Sequence, residues 1–452
     1  MSVADEKTND SGGNQRPQKG VKFILRGLRH RNYRLFFGGQ GISLIGTWMT
    51  RIATGWLVYR LTNSPFLLGV VGFASQIPMF VLAPFAGALV DRWNRHRVLI
   101  VTQILAMIQS LALAVLALSG VIQIWHIIML SVFQGLINTV DTPARQSFVV
   151  EMIEDRKDLS NAIALNSTMF NGARLIGPSI AGLLIAWVGE GYCFLVDGIS
   201  YIAVIIALLA MHIKPRQING KNAHLWQDMK EGMGYVVGFM PIRAILMMIA
   251  LVSLVGFPYT TLMPVIARDV LHGGPNAMGF LMAAAGLGAV SGALFMASRK
   301  NVRGLGRILP IATTIFGAGH MAFSLSRNFW LSLPLLLFTG TGMMVQMATA
   351  NTLLQTITDD DKRGRVMGFY SMAFMGMAPF GSLMAGAVAS KIGAPLTLMG
   401  GGALCIIGAA VFASNLRNFR AMIRPIYIRM GIISEVVVGV NEASRITGNP
   451  NE

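Results

Sequence analysis

Long apolar runs alternate with short charged clusters along this chain. The run from Phe66 to Val90 contains no charged residue, and neither does the run from Val98 to Ser119. Each is close to the about 20 residues that an α-helix needs to cross a bilayer. Twelve such runs can be marked, over 35–59, 66–90, 98–119, 124–142, 162–188, 191–212, 243–267, 277–298, 308–326, 329–352, 366–390 and 394–414. Lipid offers the backbone no hydrogen-bond partner, so closed helices are the expected form. The pattern predicts an all-α membrane protein of about twelve transmembrane helices. The longest break, 213–242, divides them six and six, and the two halves echo each other. Gly177, Gly182 and Gly189 recur at a fixed offset as Gly381, Gly386 and Gly393, each set after a charged loop (Glu154 to Asp158, then Asp359 to Arg365). Gly87-Ala-Leu reappears as Gly292-Ala-Leu before a basic loop. Two six-helix pseudo-repeats are the expected build.

Composition agrees. Of 452 residues, 54% are hydrophobic and 13% charged, whereas a soluble protein carries about a quarter charged residues. A net charge of +17 would suit nucleic-acid binding if it lay on one face. It is spread over alternate loops instead, which excludes that class. One set of loops holds Arg92, Arg95 and Arg97; Arg145, Arg156 and Lys157; Lys214, Arg216, Lys221 and Lys230; Arg299, Lys300, Arg303 and Arg307; and Lys362, Arg363 and Arg365. The other set holds only Arg60, Arg268, Arg327 and Lys391. The positive-inside rule puts the first set, and both termini, in the cytoplasm. The two cysteines, Cys193 and Cys405, lie in apolar runs, so neither a disulfide nor a metal site is expected. No nucleotide-binding loop and no catalytic constellation stands out, which points away from an enzyme and from any cofactor.

The ends of the chain read as surface segments. Residues 1–20 are polar and suit a cytosolic tail rather than a cleavable signal. Lys22, Arg26, Arg29, Arg31 and Arg34, with Phe23, Ile24, Leu25 and Leu28 between them, predict an interfacial helix before the first span. Residues 415–452 open with Arg417, Arg420, Arg424 and Arg429 around Met422, Ile423, Ile426, Tyr427 and Ile428, a second surface helix. The expected plan is a tail and basic segment over 1–34, a bundle over 35–212, a cytoplasmic linker over 213–242, a second bundle over 243–414 and a tail over 415–452.

The loop Gly87-Ala-Leu-Val-Asp91-Arg92-Trp-Asn-Arg95-His-Arg97 resembles the motif between helices 2 and 3 of the major facilitator superfamily of transporters. Asn94 stands where that family usually has Gly; Asn tolerates a left-handed backbone, which would keep the turn. Longer stretches narrow the resemblance. Gly46-Thr-Trp48-Met, Trp56-Leu-Val-Tyr-Arg-Leu-Thr-Asn-Ser64, Asp141-Thr-Pro143-Ala-Arg145-Gln146, Asn161-Ala-Ile-Ala-Leu-Asn-Ser167 and Arg363-Gly-Arg365-Val-Met-Gly are similar to the bacterial branch that holds the enterobactin exporter and macrolide efflux pumps. The resemblance covers nearly the whole chain.

Several residue roles follow from it. In transporters with this loop, the Asp and Arg residues meet an acid at the inner end of helix 4 and latch the halves while the cytoplasmic side is shut. The resemblance carries that role to Gly87, Asp91, Arg92, Arg95, Asp141 and Arg145; plain solvated charges that set topology are the alternative. Gly172, Gly177, Pro178 and Gly182 in span five resemble the helix-5 motif of antiporters, although small-residue packing accounts for the same residues. Arg363 and Arg365 fit the second-half loop. Two departures weaken proton coupling. Ser131 stands three residues before Gln134-Gly135, where many proton antiporters have Arg, and Thr47 stands where some relatives have Asp.

The residues themselves add candidates. Arg51 and Arg174 are the charges deepest in the spans, and Asp197 lies shallower. Such charges are costly and face a cavity or a partner. Arg51 and Asp197 form a pair if spans one and six adjoin, and Asp197 is the candidate protonatable acid, with a structural role near the interface as the alternative. Arg174, one turn before Pro178, is open to an anionic substrate or to a carbonyl freed at a bend. His320 and His126 titrate near neutral pH, but a lone His in a span is more often a packing residue. Gln76 and Gln346 are candidates to line the path, with Asn166, Asn171 and Asn351 behind them. Met groups at 247–248, 343–347 and 372–377 suit a pliable cavity or plain packing.

The whole reads as a monomeric secondary transporter in the bacterial inner (plasma) membrane. Its expected task is proton-coupled efflux of amphiphilic small molecules, such as a drug, siderophore or metabolite, by alternating access. Its partners are the substrate, protons and the lipid bilayer, with no nucleic acid, metal or cofactor. Uptake by symport or uniport is one alternative, which the missing Arg at Ser131 favours and the Gly-Pro pattern of span five opposes. A scaffold or sensor that moves no solute is the other; the latch cluster argues against it.

Overall fold

In lipid an α-helix satisfies every backbone group internally, and the computed structural model is helical at nearly every apolar run. The structure describes residues 25–213, 225–299 and 301–432; at 83–89, 91, 92, 156 and 225–229 only the backbone path is described. The first half is α1 (Arg31–Thr62), α2 (Pro65–Arg92), α3 (Arg95–Leu118), α4 (Ile124–Glu151), α5 (Leu159–Val188) and α6 (Glu190–Leu209). A short helix, α7 (Leu225–Gly238), leads into α8 (Met240–Val270), α9 (Pro275–Ala297), α10 (Leu305–Leu325), α11 (Phe329–Ile357), α12 (Arg363–Ile392), α13 (Ala394–Ser414) and the tail helix α14 (Leu416–Arg429). Among the described residues, eleven segments, α2–α6 and α8–α13, are long and apolar enough to cross a membrane. α1, 32 residues long, falls short of that apolarity and occupies the place of the first of the twelve runs.

The helix ends have local causes. Ser64 Oγ accepts the Leu67 amide at 3.3 Å and Pro65 opens the first turn of α2, so both N-terminal preferences are met. Asn94 departs from the expected left-handed turn. It is extended (φ −71, ψ 107), and its Oδ1 accepts the Arg97 amide at 3.1 Å. A side-chain cap on α3, which Gly lacks, therefore replaces glycine's backbone freedom. The basic segment before the first span also differs. It is a single tight turn, Arg26–Arg29, and α1 already starts at Arg31. Docking outcompetes an interfacial helix here: Gly27 donates its amide to Asn161 Oδ1 at 2.8 Å, and Arg26 and His30 reach Asp158 at 3.7 and 3.3 Å. Lys22, Phe23 and Ile24 lie outside the described residues. The tail helix α14 forms where expected and packs Phe419, Ile423 and Tyr427 into the second half.

The packing is asymmetric between the two ends of the bundle. We call the end that carries the Lys- and Arg-rich loops the basic face. There the halves have separate cores: Tyr33, Phe36, Leu99 and Phe148 belong to the first half, and Ile245, Leu309, Leu353 and Phe419 to the second. Toward the opposite face one core runs through both, from Trp56 and Leu57 across to Tyr259, Leu262, Met278 and Ala385.

The halves meet along two matched seams, α5 against α9 and α2 against α12. In the first, a Cβ at Gly182 would lie 2.7 Å from the Pro275 carbonyl, and one at Gly279 would lie 2.5 Å from that of Pro178. In the second, Gly386 meets Pro65 at 2.6 Å and Gly69 meets Ser382 at 2.6 Å. Gly189 (φ +93) and Gly393 (φ +85) make the same left-handed corner before α6 and α13. These are the glycine echoes seen along the chain. They recur because each permits backbone contact, or a conformation, that a side chain forbids.

Candidate functional site

At the edge of the shared core, side chains of α1, α5 and α8 form a polar patch in mid-membrane. Arg51, on α1, is exposed although it lies deep in the crossing. Its guanidinium sits 4.9 Å from the centre of the Trp48 ring. Arg174, on α5, approaches the same ring at 5.9 Å, and Phe170 meets it edge-on at 5.9 Å. Arg174 and Arg51 repel one another across this ring. On the other side Tyr259, from α8, lies beside Arg174, its hydroxyl buried against that guanidinium and its O–H without an acceptor among the described residues. Neither guanidinium has an acidic partner among the described residues.

The expected pair between Arg51 and Asp197 is absent, although α1 and α6 do adjoin. Thr50, one residue earlier, takes the acid instead. Asp197 Oδ2 accepts Thr50 Oγ1 at 2.8 Å and Ser110 Oγ at 2.9 Å, while Oδ1 is buried without a partner. Successive residues on a helix point about 100° apart, so Thr50 faces α6 while Arg51 faces Trp48. Gly46 makes room for the carboxyl: a Cβ there would lie 2.7 Å from Asp197 Oδ1.

At the opposite face the halves are tied by side chains whose pairing the sequence does not give. Tyr59 donates to Asp269, and Arg268 donates to Asn63 at 2.8 Å. The Arg268 guanidinium also lies 5.7 Å from the Tyr59 ring centre. Two π-turns interrupt α8: Ile266–Val270, which carries this contact, and Val252–Gly256, further along the helix against Phe316 and Cys405. Such turns widen a helix locally and are common where a helix has a functional task. They have no sequence signature apart from Pro258 and Pro264.

At the basic face, Gly87, Asp91 and Arg92 lie on the helical backbone of α2, and their side chains are outside the described residues. Asp141 is buried. Its Oδ1 accepts Thr102 Oγ1 and Gln103 Nε2, each at 2.8 Å, and its Oδ2 lies 3.6 Å from Arg145. Arg95 pairs with Glu151 at 2.8 Å, further along α4 than Asp141. Glu151 escaped notice in the sequence because only the close packing of α3 on α4 brings it near. In the second half, Arg363 pairs with Asp360 at 2.5 Å and Arg365 with Glu231 of α7 at 3.0 Å.

The remaining candidates scatter. Gln76 donates to the Gly72 carbonyl at 3.1 Å. Gln346 and His320 are buried in the second half, the latter between Phe316 and Tyr259 with Nδ1 on the Phe316 carbonyl at 3.0 Å. His126 caps the start of α4 and is not in mid-membrane. Met247 is exposed on the outside and Met343 is core. Of the helix-5 motif, Gly177 packs on Trp48 (Cβ contact 2.6 Å) and Gly182 on α9, whereas nothing approaches Gly172 within 4 Å. α5 runs unbroken through Pro178. Gly172→Ala is therefore expected to leave transport intact and Gly182→Ala to slow it several-fold, in an assay normalised to folded protein. Equal effects of the two would mean that the motif does not act through the seam.

A family profile described as transmembrane secretion effector matches residues 24–426. The chain is 27% identical over 378 residues to the staphyloferrin A transporter of Staphylococcus aureus, covering 82% of this chain and 94% of that one. It is 24% identical to the multidrug efflux pump Tap of Mycolicibacterium fortuitum (84% and 95% covered) and 22% identical to the enterobactin exporter EntS of Shigella boydii (86% and 94%). Among solved structures, a bacterial homologue of the lysosomal transporter Spinster superposes with a TM-score of 0.69 at 13% identity, covering 89% of this chain and 99% of that one. A bacterial homologue of ferroportin gives 0.66 at 13% identity, with 88% and 100% covered.

Proposed function

The chain belongs to the transmembrane secretion effector family of major facilitator transporters, and from that premise we propose that it exports amphiphilic small molecules by proton-driven alternating access. The observation that carries this reading is the asymmetry of the packing. One core joins the halves at the opposite face, and two cores stand apart at the basic face. With the basic face in the cytoplasm of a bacterial inner membrane, as the positive-inside rule directs, this is the state in which an exporter loads or an importer releases, and the similarity to the efflux pump Tap and the enterobactin exporter supports the first. Export then requires the Tyr59–Asp269 and Asn63–Arg268 contacts to part while the basic face closes. Asp91, Arg92, Arg95, Asp141 and Arg145, with Gly87 beneath them, are the proposed inner latch, opposed by the Arg363 and Arg365 loop. Such a latch biases a two-state equilibrium when its charges gain partners in one state.

Asp197 is the proposed proton site. The groups that face it, Thr50, Ser110, Ser200 and Tyr201, carry no positive charge, so a bound proton is its only source of neutrality in mid-membrane. A potential of 100 mV supplies about 2.3 kcal/mol per charge moved, enough for roughly 50-fold accumulation. The test uses purified protein in liposomes with an imposed pH gradient, an internal pH dye and a panel of drugs, siderophores and nutrients. Proton flow opposite to an added compound is the expected result; flow along with a nutrient would reverse the direction assigned here. Asp197→Asn should keep downhill exchange and lose stimulation by the gradient. Unchanged stimulation in that variant would remove Asp197 from the coupling path.

A further inference from the structure

Export alone leaves the chemistry of the cargo open, but the mid-membrane patch is selective. Arg51 and Arg174 stay protonated under all physiological conditions. In a membrane protein such residues face a cavity or are paired with an acid. Here they crowd one ring, Trp48, and no described carboxylate neutralises either. Asp197, the acid nearest in sequence logic, is turned to the other side of α1 and holds Thr50 and Ser110. Asp269 lies two turns away along α1, engaged by Tyr59. The buried Tyr259 hydroxyl lies against the Arg174 guanidinium of the facing half, which can only donate to its oxygen, so its own O–H has no acceptor among the described residues.

We propose that Arg51, Arg174 and Tyr259, with Trp48 and Phe170 as an aromatic wall, form the binding site for an organic anion: a substrate with a carboxylate or similarly charged group on an aromatic or apolar body. The anion supplies the negative charge that the protein withholds. A guanidinium binds such a group by two parallel charge-assisted hydrogen bonds, and the Trp48 and Phe170 rings cover the apolar part. Tyr259 belongs to the other half, so a bound anion bridges both halves across the cavity. A cation meets two like charges at short range and is excluded. Arg51 and Arg174 repel one another, and an anion held between them offsets that repulsion. This assignment rests on the export reading for its physiological meaning, but its test does not.

The test measures equilibrium binding to the full chain in nanodiscs by titration calorimetry, with three probes on one skeleton: naphthalene-1-sulfonate, 1-naphthol and 1-naphthyltrimethylammonium. The sulfonate should bind at least about tenfold more tightly than the neutral probe, as expected for one charge-assisted contact, and the cation should bind least. Arg51→Gln and Arg174→Gln should each remove about tenfold of the sulfonate affinity and leave naphthol unchanged, while Arg51→Lys should lose less than Arg51→Gln. A cation that binds as well as the sulfonate overturns the proposal, as does sulfonate affinity unaffected by either Gln variant. The ranking of the probes on the unaltered protein needs no variant to fold. Anions that bind but are not exported from liposomes would leave the site standing and defeat the export reading; cations that are exported without anion binding would do the reverse.

Discussion

Bridging Asn63→Cys to Arg268→Cys with a short reducible bis-methanethiosulfonate should stop transport, and reduction should restore it. The two side chains touch at 2.8 Å on facing halves and are exposed, so the reagent reaches both. Nothing else at that face needs to change for the cross-link to form. The native cysteines, Cys193 and Cys405, are buried and stay out of the reaction. Alternating access requires this end to open once per cycle, and a covalent tie removes that state from the equilibrium. The expected size of the effect is therefore a fall to background. The unbridged double variant should still transport, because it loses one exposed hydrogen bond and the Arg268–Tyr59 ring contact and places Cys at the left-handed position of Asn63, each worth about 1 kcal/mol, while the Tyr59–Asp269 contact remains. Liposome uptake before and after reduction decides the matter. If the bridged protein transports at the unbridged rate, the opposite face does not open and rocking of the halves is the wrong mechanism.

The second large effect concerns folding. Gly288 and Gly340 place α9 and α11 in backbone contact. A Cβ at Gly288 would lie 2.0 Å from the Leu337 carbonyl, and one at Gly340 would lie 2.0 Å from that of Ala285. Both obstacles are helix backbone, which has no rotamer to escape through. Overpacking a core typically costs about 1–3 kcal/mol and more where nothing can shift. Gly288→Val and Gly340→Val should each lower the unfolding temperature by at least about 5 °C, since 1 kcal/mol moves Tm by about 2–4 °C in a domain of this size, or should prevent folding altogether. Thermal unfolding followed with a thiol-reactive dye is suited to the protein, with Cys193 reporting on the first half and Cys405 on the second. Cys405 should react first. Gly400→Val is the control, because nothing lies within 4 Å of a Cβ at Gly400. A Gly288→Val protein as stable as that control would show that α9 and α11 are not held at this distance.

Particular residues show where reading the chain stops. The spans and their six-plus-six division follow from apolar length, and the observed helices agree with them because a membrane-length apolar run has only one way to satisfy its backbone. The glycine echoes were legible for a related reason: a seam of close backbone contact tolerates no substitute, so its glycines stand out twice in the sequence. Thr50 and Arg51 show the opposite case. Both are polar, adjacent and in mid-span, and only the rotation of α1 against α6 decides that Thr50 meets Asp197 and Arg51 meets Trp48. Asn94 is intermediate, since its turn position was legible and its role as a cap was not. Tyr59 and Asn63 stood in the Trp56–Ser64 stretch and Arg268 among the sparse charges of the other loops, but nothing along the chain paired them with each other or with Asp269, because the partners are 210 and 205 residues apart and meet only when the halves pack.

By itself, then, the sequence determined that this chain crosses a membrane about twelve times, in two related halves, with its positive charge on one side. Those properties depend on composition along a helix axis, and one-dimensional order carries them. The tertiary structure alone decided at which face the two halves share a core, which side of α1 the acid Asp197 meets, and which cations have no acidic partner among the described residues. Those properties depend on the rotation and approach of helices far apart in sequence, which an apolar periodicity cannot encode when both sides of a helix are apolar.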